Sequence, residues 1–200
     1  KKKKTLSVQA NIAALLVQRG ITNYDEAKSF FRPSLSELHN PFLMKDMDVA
    51  VTRIEKAIKE SENILVYGDY DVDGTTSVAL MSSFLKTKTP NVATYIPDRY
   101  DEGYGVSYKG IDFAADNDIT LIIALDCGIK AIDKVAYAKE KGVDFIICDH
   151  HRPGKQIPDA IAVLDPKRDD CNYPYKELCG CGVGFKLIQA INEQSGFFFF

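Results

Sequence analysis

Three carboxylates lie close together in the sequence, directly after a short apolar run. Asp69, Asp71 and Asp73 alternate with other residues behind the apolar stretch 64–67, and a glycine and three hydroxyl residues follow them. Carboxylates this close repel one another unless cations or protons neutralise them, so the spacing is typical of a divalent-cation site. An Asp-rich turn that caps a helix uses the same residue types and stays open as an alternative. A calcium loop of the EF-hand type is excluded, because its twelfth position should be Glu and is Leu80 here.

Further residues of metal-ligand type follow two other apolar runs. Asp126 comes directly after one of them, and Asp149, His150 and His151 come directly after the next. Imidazole combined with carboxylate suits manganese, zinc or iron better than calcium. Neighbouring side chains of an extended segment point in different directions, so we expect one His to bind metal and the other to face substrate. A lone Asp after a strand is usually a helix cap. The reason to treat Asp126 as a site residue is that it ends a third strand at the same predicted edge of the sheet.

Two loop segments carry groups that suit a phosphate-containing ligand. Arg99 could form a bidentate pair with a phosphate, and Tyr104, which has a glycine on each side, could stack on a nucleobase; simple packing is the alternative for both. The segment Asp165-Pro166-Lys167-Arg168 is either a basic surface turn or a second phosphate contact. The glycine-rich stretch 179–185 lacks the lysine pattern of a P-loop, and we interpret it as a tight loop that enters a helix.

The pattern of apolar residues predicts how these groups are positioned. Up to residue 60 the spacing is helical, with helices expected near 12–19, 25–31 and 47–60. From residue 64 onward, short runs rich in Ile and Val indicate buried strands at 64–67, 92–96, 121–125, 145–147 and 161–164. Segments long enough for crossover helices separate most of them (75–85, 107–117 and 131–141), and a last helix is expected at 182–192. We therefore predict an α/β fold with a largely parallel sheet flanked by helices, whose ligands bind at the carboxyl ends of the strands.

Composition limits the classes of protein that the chain can represent. With 200 residues, 46% hydrophobic and 26% charged, it is long enough for one domain with a sizeable core. No apolar stretch reaches the roughly 18 residues that a membrane span requires, so we expect no membrane partner.

The five cysteines show no zinc-type spacing and their odd number argues against a disulfide framework, which favours a reducing cytoplasm. We expect the homopolymer ends 1–4 and 197–200 to be non-native. Without the four lysines, 21 basic residues stand against 28 acidic ones, a net charge of −7, so a phosphate-rich ligand must be attracted locally.

Taken together, the stretches GDYDVDGTTS, LDCG and DHH resemble the DHH phosphoesterase superfamily. Three longer stretches resemble, more narrowly, its exonucleases that act on single strands: PDRYDEGYGVS, VLDPKRDDCNYPYKELCGCGVGFKL and the leader FFRPSLSELHNPFLMKDMDVAVTRI. The resemblance extends from Leu6 to Gly196. It implies a helical amino-terminal leader at residues 5–60 and a DHH phosphoesterase core at 61–196.

The resemblance also implies a role for each residue of the motifs. It makes Asp71, Asp73, Asp126 and His150 metal ligands, with Asp69 as a further ligand and Asp126 as the bridge between two Mn²⁺ or Mg²⁺ ions. His151 would contact the scissile phosphate, and Asp149 would orient its neighbours. From the loop residues themselves we expect Arg99 and Tyr104 to bind substrate, and Arg99 and His151 to offset the charge that develops in the transition state. A fourth metal-binding Asp of this family lies downstream of the GVGFKL helix, as do the DHHA1 and OB domains. We therefore expect the chain to be an amino-terminal fragment with an incomplete metal cage.

The activity implied by the resemblance is metal-dependent hydrolysis of single-stranded DNA from its 5′ end, in DNA repair and recombination. A single-strand-binding protein and a helicase are the partners that such an activity implies. Three alternatives stay open. The same chemistry could act on short oligonucleotides, cyclic dinucleotides or pyrophosphate; the chain could be a non-catalytic scaffold of the DHH type; or it could be a nucleotide-binding Rossmann-like protein, although the three-Asp turn would then repel phosphate.

Overall fold

The computed structural model describes residues 8–196, and the homopolymer ends that we expect to be non-native lie outside them. Contacts divide the chain into two compact units, with the boundary between His39 and Asn40. In the described part of the first unit, α1 covers Ala10–Gln18 and α2 covers Tyr24–Phe31. Asn23 and Glu26 form a reciprocal capping box at the start of α2, which satisfies amides that the first turn leaves without partners. Two short 3-10 turns follow, Leu35–Glu37 in the first unit and Pro41–Leu43 in the second.

The second unit alternates strands and helices around one parallel sheet. Its strands are β1 (Asn63–Gly68), β2 (Val92–Tyr95), β3 (Ile119–Leu125), β4 (Asp144–Cys148) and β5 (Ala162–Leu164). Its helices are α3 (Met47–Lys59), α4 (Val72–Lys86), α5 (Tyr108–Asp116), α6 (Ile132–Glu140) and α7 (Gly180–Gln194). The strand order is β2-β1-β3-β4-β5 with every pairing parallel, which confirms the predicted α/β fold. The order reverses between β1 and β3, so the topological switch point lies between the ends of these two strands.

Alternation along the strands sends side chains to two separate cores, one on each face of the sheet. Ile64 and Val66 of β1 pack with residues of α3, α4 and α7, whereas Leu65 and Tyr67 pack with residues of α5 and α6. Helices therefore cover both faces, and the sheet presents polar groups at its edges and at the ends of its strands.

The starts of two helices differ from the sequence prediction. Helix α4 begins at Val72 and not at residue 75, because the Asp71 carboxylate accepts the Gly74 amide at 2.9 Å and caps the helix; Asp73 thus lies in the first helical turn. Helix α7 begins at Gly180, so the glycine-rich stretch forms its first turn and not a loop. Helix α3 falls within the predicted leader, but its apolar face belongs to the core of the sheet. The division of the chain into domains at residues 60 and 61 stays a prediction.

Candidate metal and phosphate site

Four carboxylates follow the carboxyl ends of strands in this sheet. Asp69 follows β1, Asp126 follows β3, Asp149 follows β4 and Asp165 follows β5, and the side chains of all four are buried. Parallel strands end at the same edge, so an alternation of apolar runs and Asp residues is enough to bring these groups into one region. Asp165 is the one of the four to which the sequence analysis gives no role of its own. The same signal marks it, since it directly follows an apolar run as the other three do.

At the centre of this edge, Asp126, His150 and His151 converge. One potential ligand atom from each of these residues lies within 4.8 Å of the others. The Nε2 atom of His150 is 3.0 Å from Oδ1 of Asp126 and 3.7 Å from Oδ2 of Asp73. The sequence predicts a metal site from residues in this region, with His151 facing the substrate; the geometry places His151 in the same cluster as His150.

Asp126 is held in an unfavourable electrostatic environment. It adopts a left-handed backbone conformation with φ of 60°, and its side chain is 1% exposed. Burial, followed by repulsion from Asp73 and Asp71, raises the pKa of Asp126 to about 8. Among residues 8–196, no donor makes a hydrogen bond of acceptable geometry with its Oδ1 atom, and the same is true of Oδ2 of Asp69. A buried carboxylate oxygen without a donor is costly, and a bound cation would relieve that cost at both positions.

The three Asp residues of the first motif are in three different environments. Asp69 is fully buried, and its Oδ1 atom accepts one long hydrogen bond of 3.5 Å from the Gly105 amide. Asp71 is exposed and caps α4. Asp73 accepts two amide hydrogen bonds from the start of α7, from Gly180 and Cys181, each of 2.7 Å. The motif therefore contains a residue that caps a helix, Asp71, and a residue that lies close to the candidate metal site, Asp73.

Asp149 organises the two histidines through a dense set of hydrogen bonds. Its Oδ1 atom accepts the backbone amides of His150 and His151 and lies 2.7 Å from Nδ1 of His151, while Oδ2 accepts the Ile129 amide at 2.9 Å. Burial alone would raise the pKa of Asp149, but these hydrogen bonds outweigh it and hold the pKa below its ordinary value. The hydrogen bond between the Asp149 carboxylate and the His151 ring raises the pKa of His151. The pKa of His150 is lowered, first by burial and then by the charge of His151.

A row of aromatic rings leads from His151 to Arg99. The Tyr104 hydroxyl is 3.3 Å from Nε2 of His151, and the two rings meet edge to face at a centroid distance of 6.2 Å. Tyr104 in turn contacts Tyr70 edge to face, and the guanidinium carbon of Arg99 lies 5.5 Å above the Tyr70 ring. Arg99 is thus joined to the cluster through two tyrosines, and its predicted contact with the scissile phosphate stays a prediction.

Glu102 fixes the loop that carries Arg99 and Tyr104. Its carboxylate accepts hydrogen bonds from the Tyr95 hydroxyl at 2.9 Å, from the Asp98 amide at 2.8 Å and from the Ser107 hydroxyl. The sequence pattern gives no sign of this role, because the three donors are contributed by a strand end, a loop and a helix cap. The loop is therefore held in place independently of any ligand.

Comparisons with known proteins identify the family of this chain. A family model described as the DHH family, N-terminal domain, matches residues 63–197. The single-stranded-DNA-specific exonuclease RecJ of Bacillus subtilis is 43% identical over 186 residues, which is 93% of this chain and 24% of the relative. RecJ of Thermus thermophilus is 33% identical over 76% of this chain and 22% of the relative. The chain thus spans about a quarter of the length of these relatives.

Solved structures give the same result for the fold. A crystal structure of exonuclease RecJ bound to manganese matches with a TM-score of 0.71 and 32% identity, covering 77% of this chain and 39% of that one. The structure of RecJ in complex with Mn²⁺ from Thermus thermophilus matches with a TM-score of 0.72 and 29% identity, covering 92% of this chain and 25% of that one. None of the helices within residues 8–196 combines the length and the hydropathy needed to cross a bilayer.

Proposed function

The chain belongs to the DHH family, and from this premise we propose that it carries the metal-binding part of a phosphodiesterase that degrades single-stranded DNA from its 5′ end. The observation that supports the proposal most directly is the convergence of Asp126, His150 and His151 at the carboxyl ends of β3 and β4. Its relatives named as single-stranded-DNA-specific exonucleases support the choice of substrate. Action in the cytoplasm, in DNA repair and recombination beside a single-strand-binding protein and a helicase, is part of the proposal.

The residues present fit a divalent cation such as Mn²⁺ or Mg²⁺. Oxygen atoms of Asp69 and Asp126 are buried without hydrogen-bond donors in the described part of the chain, and the lowered pKa of His150 keeps its imidazole neutral and able to ligate. Asp71 and Asp73 would complete the set on the α4 side, with Asp126 as the residue that two ions share. Bound dications would neutralise this group of carboxylates, polarise the phosphate and make an attacking water more acidic.

His151 is suited to act on the phosphate itself. The hydrogen bond between its Nδ1 and Asp149 fixes the ring and directs Nε2 away from Asp149, toward the Tyr104 hydroxyl. The raised pKa increases the protonated fraction of His151, and in that state Nδ1–H is donated to Asp149 and Nε2–H can be donated to a phosphate oxygen. Asp149 is buried and acts only through His151, as the residue that sets its orientation and charge.

The aromatic row offers a surface for unpaired bases. Tyr70 and Tyr104 present ring faces and edges beside the metal site, and stacking of bases on aromatic side chains contributes roughly 1–3 kcal/mol per base without selecting a sequence. Arg99, above Tyr70, supplies a positive charge for a phosphate of a strand that passes over these rings. Bases of a duplex are already stacked and paired, so a surface of this kind favours single strands.

Replacement of Asp126 by Ala tests the proposal. In a full-length protein that carries this segment, we expect the Asp126→Ala variant to lose Mn²⁺-dependent release of nucleotides from a 5′-labelled single strand and to lose tight Mn²⁺ binding in calorimetry. Asp116→Ala, which removes an exposed carboxylate at the end of α5, is the matched control and should behave as the unchanged protein. Near-normal turnover of the Asp126 variant would overturn the assignment of Asp126. Cleavage of cyclic dinucleotides in preference to single strands would move the substrate to the first alternative, and the absence of any tight Mn²⁺ site would favour a scaffold.

A further inference from the structure

A basic cavity opens directly beside the candidate site. It has a volume of about 630 Å³, lies between the segment that follows His151 and the loop that follows β5, and falls within the about 300–1,000 Å³ range of small-ligand sites. Its ionisable lining consists of Arg152, Lys167, Arg168, Lys176, Asp169 and Glu177. Basic side chains outnumber acidic ones here, whereas the strand ends next to it carry a surplus of carboxylates. The cavity is thus a place near the site where a negatively charged ligand meets a favourable local charge.

The four cations of this cavity do not have equal freedom to bind a ligand. Arg168 is buried and committed, since its Nη1 is 2.6 Å from Asp46 Oδ2 and its Nη2 is 2.8 Å from Asp170 Oδ2. It serves to fix the loop. Lys167 is 3.4 Å from Glu177, whose side chain is 71% exposed, so this pair is screened by water and a phosphate can replace Glu177 at little cost.

The positive charges of Lys176 and Arg152 are available to a ligand. The ammonium group of Lys176 donates to the Cys171 carbonyl at 2.6 Å, a neutral partner that leaves its positive charge uncompensated. Arg152 is exposed and follows His151 in the sequence, so it connects the cavity to the cluster at the strand ends.

The loop that follows β5 sets the position of Lys167 in the cavity. A hydrogen bond fixes the backbone of Lys167, because its amide donates to Oδ1 of the fully buried Asp165 at 2.7 Å. The backbone at Lys167 is therefore anchored to a buried carboxylate at the end of β5.

We infer that this cavity is a second phosphate-binding subsite, in which Lys167, Lys176 and Arg152 bind a phosphate of the single strand next to the one that reacts at His151. The inference rests on the proposed function and adds to it a position that binds a second phosphate of the same strand. A ligand that presents consecutive phosphodiesters fills both positions, whereas pyrophosphate fills one. Of the two interpretations of the segment 165–168, it selects the phosphate contact for Lys167 and a structural role for Arg168.

Salt dependence of strand binding tests the subsite without relying on catalysis. The probe is a 3′-fluorescein-labelled oligothymidylate of about twelve nucleotides, and its binding is followed by anisotropy in metal-free buffer over a range of NaCl concentrations. Each phosphate contact to a single strand contributes about 0.7 to the slope of log K against log salt. We expect Lys167→Ala and Lys176→Ala each to lower the slope by about that amount and to weaken binding, and Lys167→Arg to preserve both.

Lys56→Ala is the matched control for these variants. Lys56 forms an exposed pair with Glu60 at 3.8 Å, much as Lys167 pairs with Glu177, but it lies on α3. Its replacement should leave the slope unchanged, and unfolding midpoints should show that all variants are folded. An unchanged slope and affinity for Lys167→Ala and Lys176→Ala would overturn the subsite, even if Asp126→Ala abolishes Mn²⁺-dependent cleavage. A reduced slope in a protein that shows no such cleavage would support the subsite and refute the hydrolytic function.

Discussion

The first turn of α7 packs against Asp126 so closely that position 180 accommodates only glycine. A β-carbon at Gly180 would lie 2.5 Å from both the Cβ and the Oδ1 atoms of Asp126, whereas ordinary contacts begin at 3.4 Å. In Gly180→Ala, the helix turn or the carboxylate must therefore move by about 1 Å, since close-packed surroundings offer no empty space. The amides of Gly180 and Cys181 would move away from Asp73 in the same displacement, because both donate to its carboxylate.

The expected size of the effect follows from this displacement. Overpacking of this kind costs about 1–3 kcal/mol of the free energy of unfolding. A displacement of about 1 Å at a reacting centre can lower activity on the order of 100-fold, so the loss at the site should exceed the loss of stability. We would measure Mn²⁺ affinity by isothermal titration calorimetry, nuclease activity on a single strand, and unfolding in urea.

Gly182→Ala, two positions further along the same helix, is the control for this prediction. A β-carbon there would meet the Leu178 side chain at 3.3 Å, which a flexible side chain can accommodate, and alanine favours the helix by roughly 0.5–1 kcal/mol. We expect this variant to bind Mn²⁺ normally. If Gly180→Ala bound Mn²⁺ and unfolded as the unchanged protein does, the claim that α7 sets the position of Asp126 would be refuted.

Three further predictions concern the strand ends and the loop beside them. Tyr67→Phe removes a buried hydroxyl that donates to the Gly105 carbonyl at 2.9 Å and accepts the Ser107 amide at 3.1 Å, so urea unfolding should show a loss of about 1–3 kcal/mol; a loss below the error of the measurement would contradict it. Burial raises the pKa of Asp165 to about 6, so the folded state binds its proton more tightly than the unfolded state, and the stability that this provides is present below about pH 4 and is lost as the pH rises toward 6. Asp165→Asn should therefore become more stable than the unchanged protein by on the order of 1–3 kcal/mol as the pH rises from about 4 to about 7, and the opposite trend in urea titrations would disprove this. Mn²⁺ at about 100 times its dissociation constant should stabilise the fold by about 2.7 kcal/mol, and Asp126→Asn should abolish this increase in thermal scans.

The fold can be predicted from the sequence because the patterns that indicate strands and helices involve residues that are close together in the chain. Each strand is a short run of Ile, Val and Leu, and helical segments separate the runs, so a parallel sheet covered on both faces is the arrangement that buries them all. The same reasoning places Asp69, Asp126 and Asp149 at one edge, since every one of them follows a run. It puts the start of α4 at residue 75 because it treats the Asp-rich motif as a loop, whereas the Asp71 carboxylate already caps the helix at residue 72.

Other features of the site depend on contacts between residues far apart in the sequence. The two amides that Asp73 accepts come from residues more than a hundred positions away, and Glu102 is joined to Tyr95 and Ser107 by a loop whose path no periodicity describes. The pattern around Asp165 allows a surface turn, although its side chain is fully buried.

The sequence by itself determined which residue types stand at the ends of the strands, and hence the kind of chemistry that this edge can support. Only the tertiary structure decided the role of each group: which oxygens lack a donor, that Asp149 orients His151, and that Arg168 is paired with the partly buried Asp46 while Lys167 is paired with the exposed Glu177. The reason is physical. Strand and helix patterns arise from contacts between near neighbours, whereas the protonation and hydrogen bonding of a buried group depend on every element packed around it.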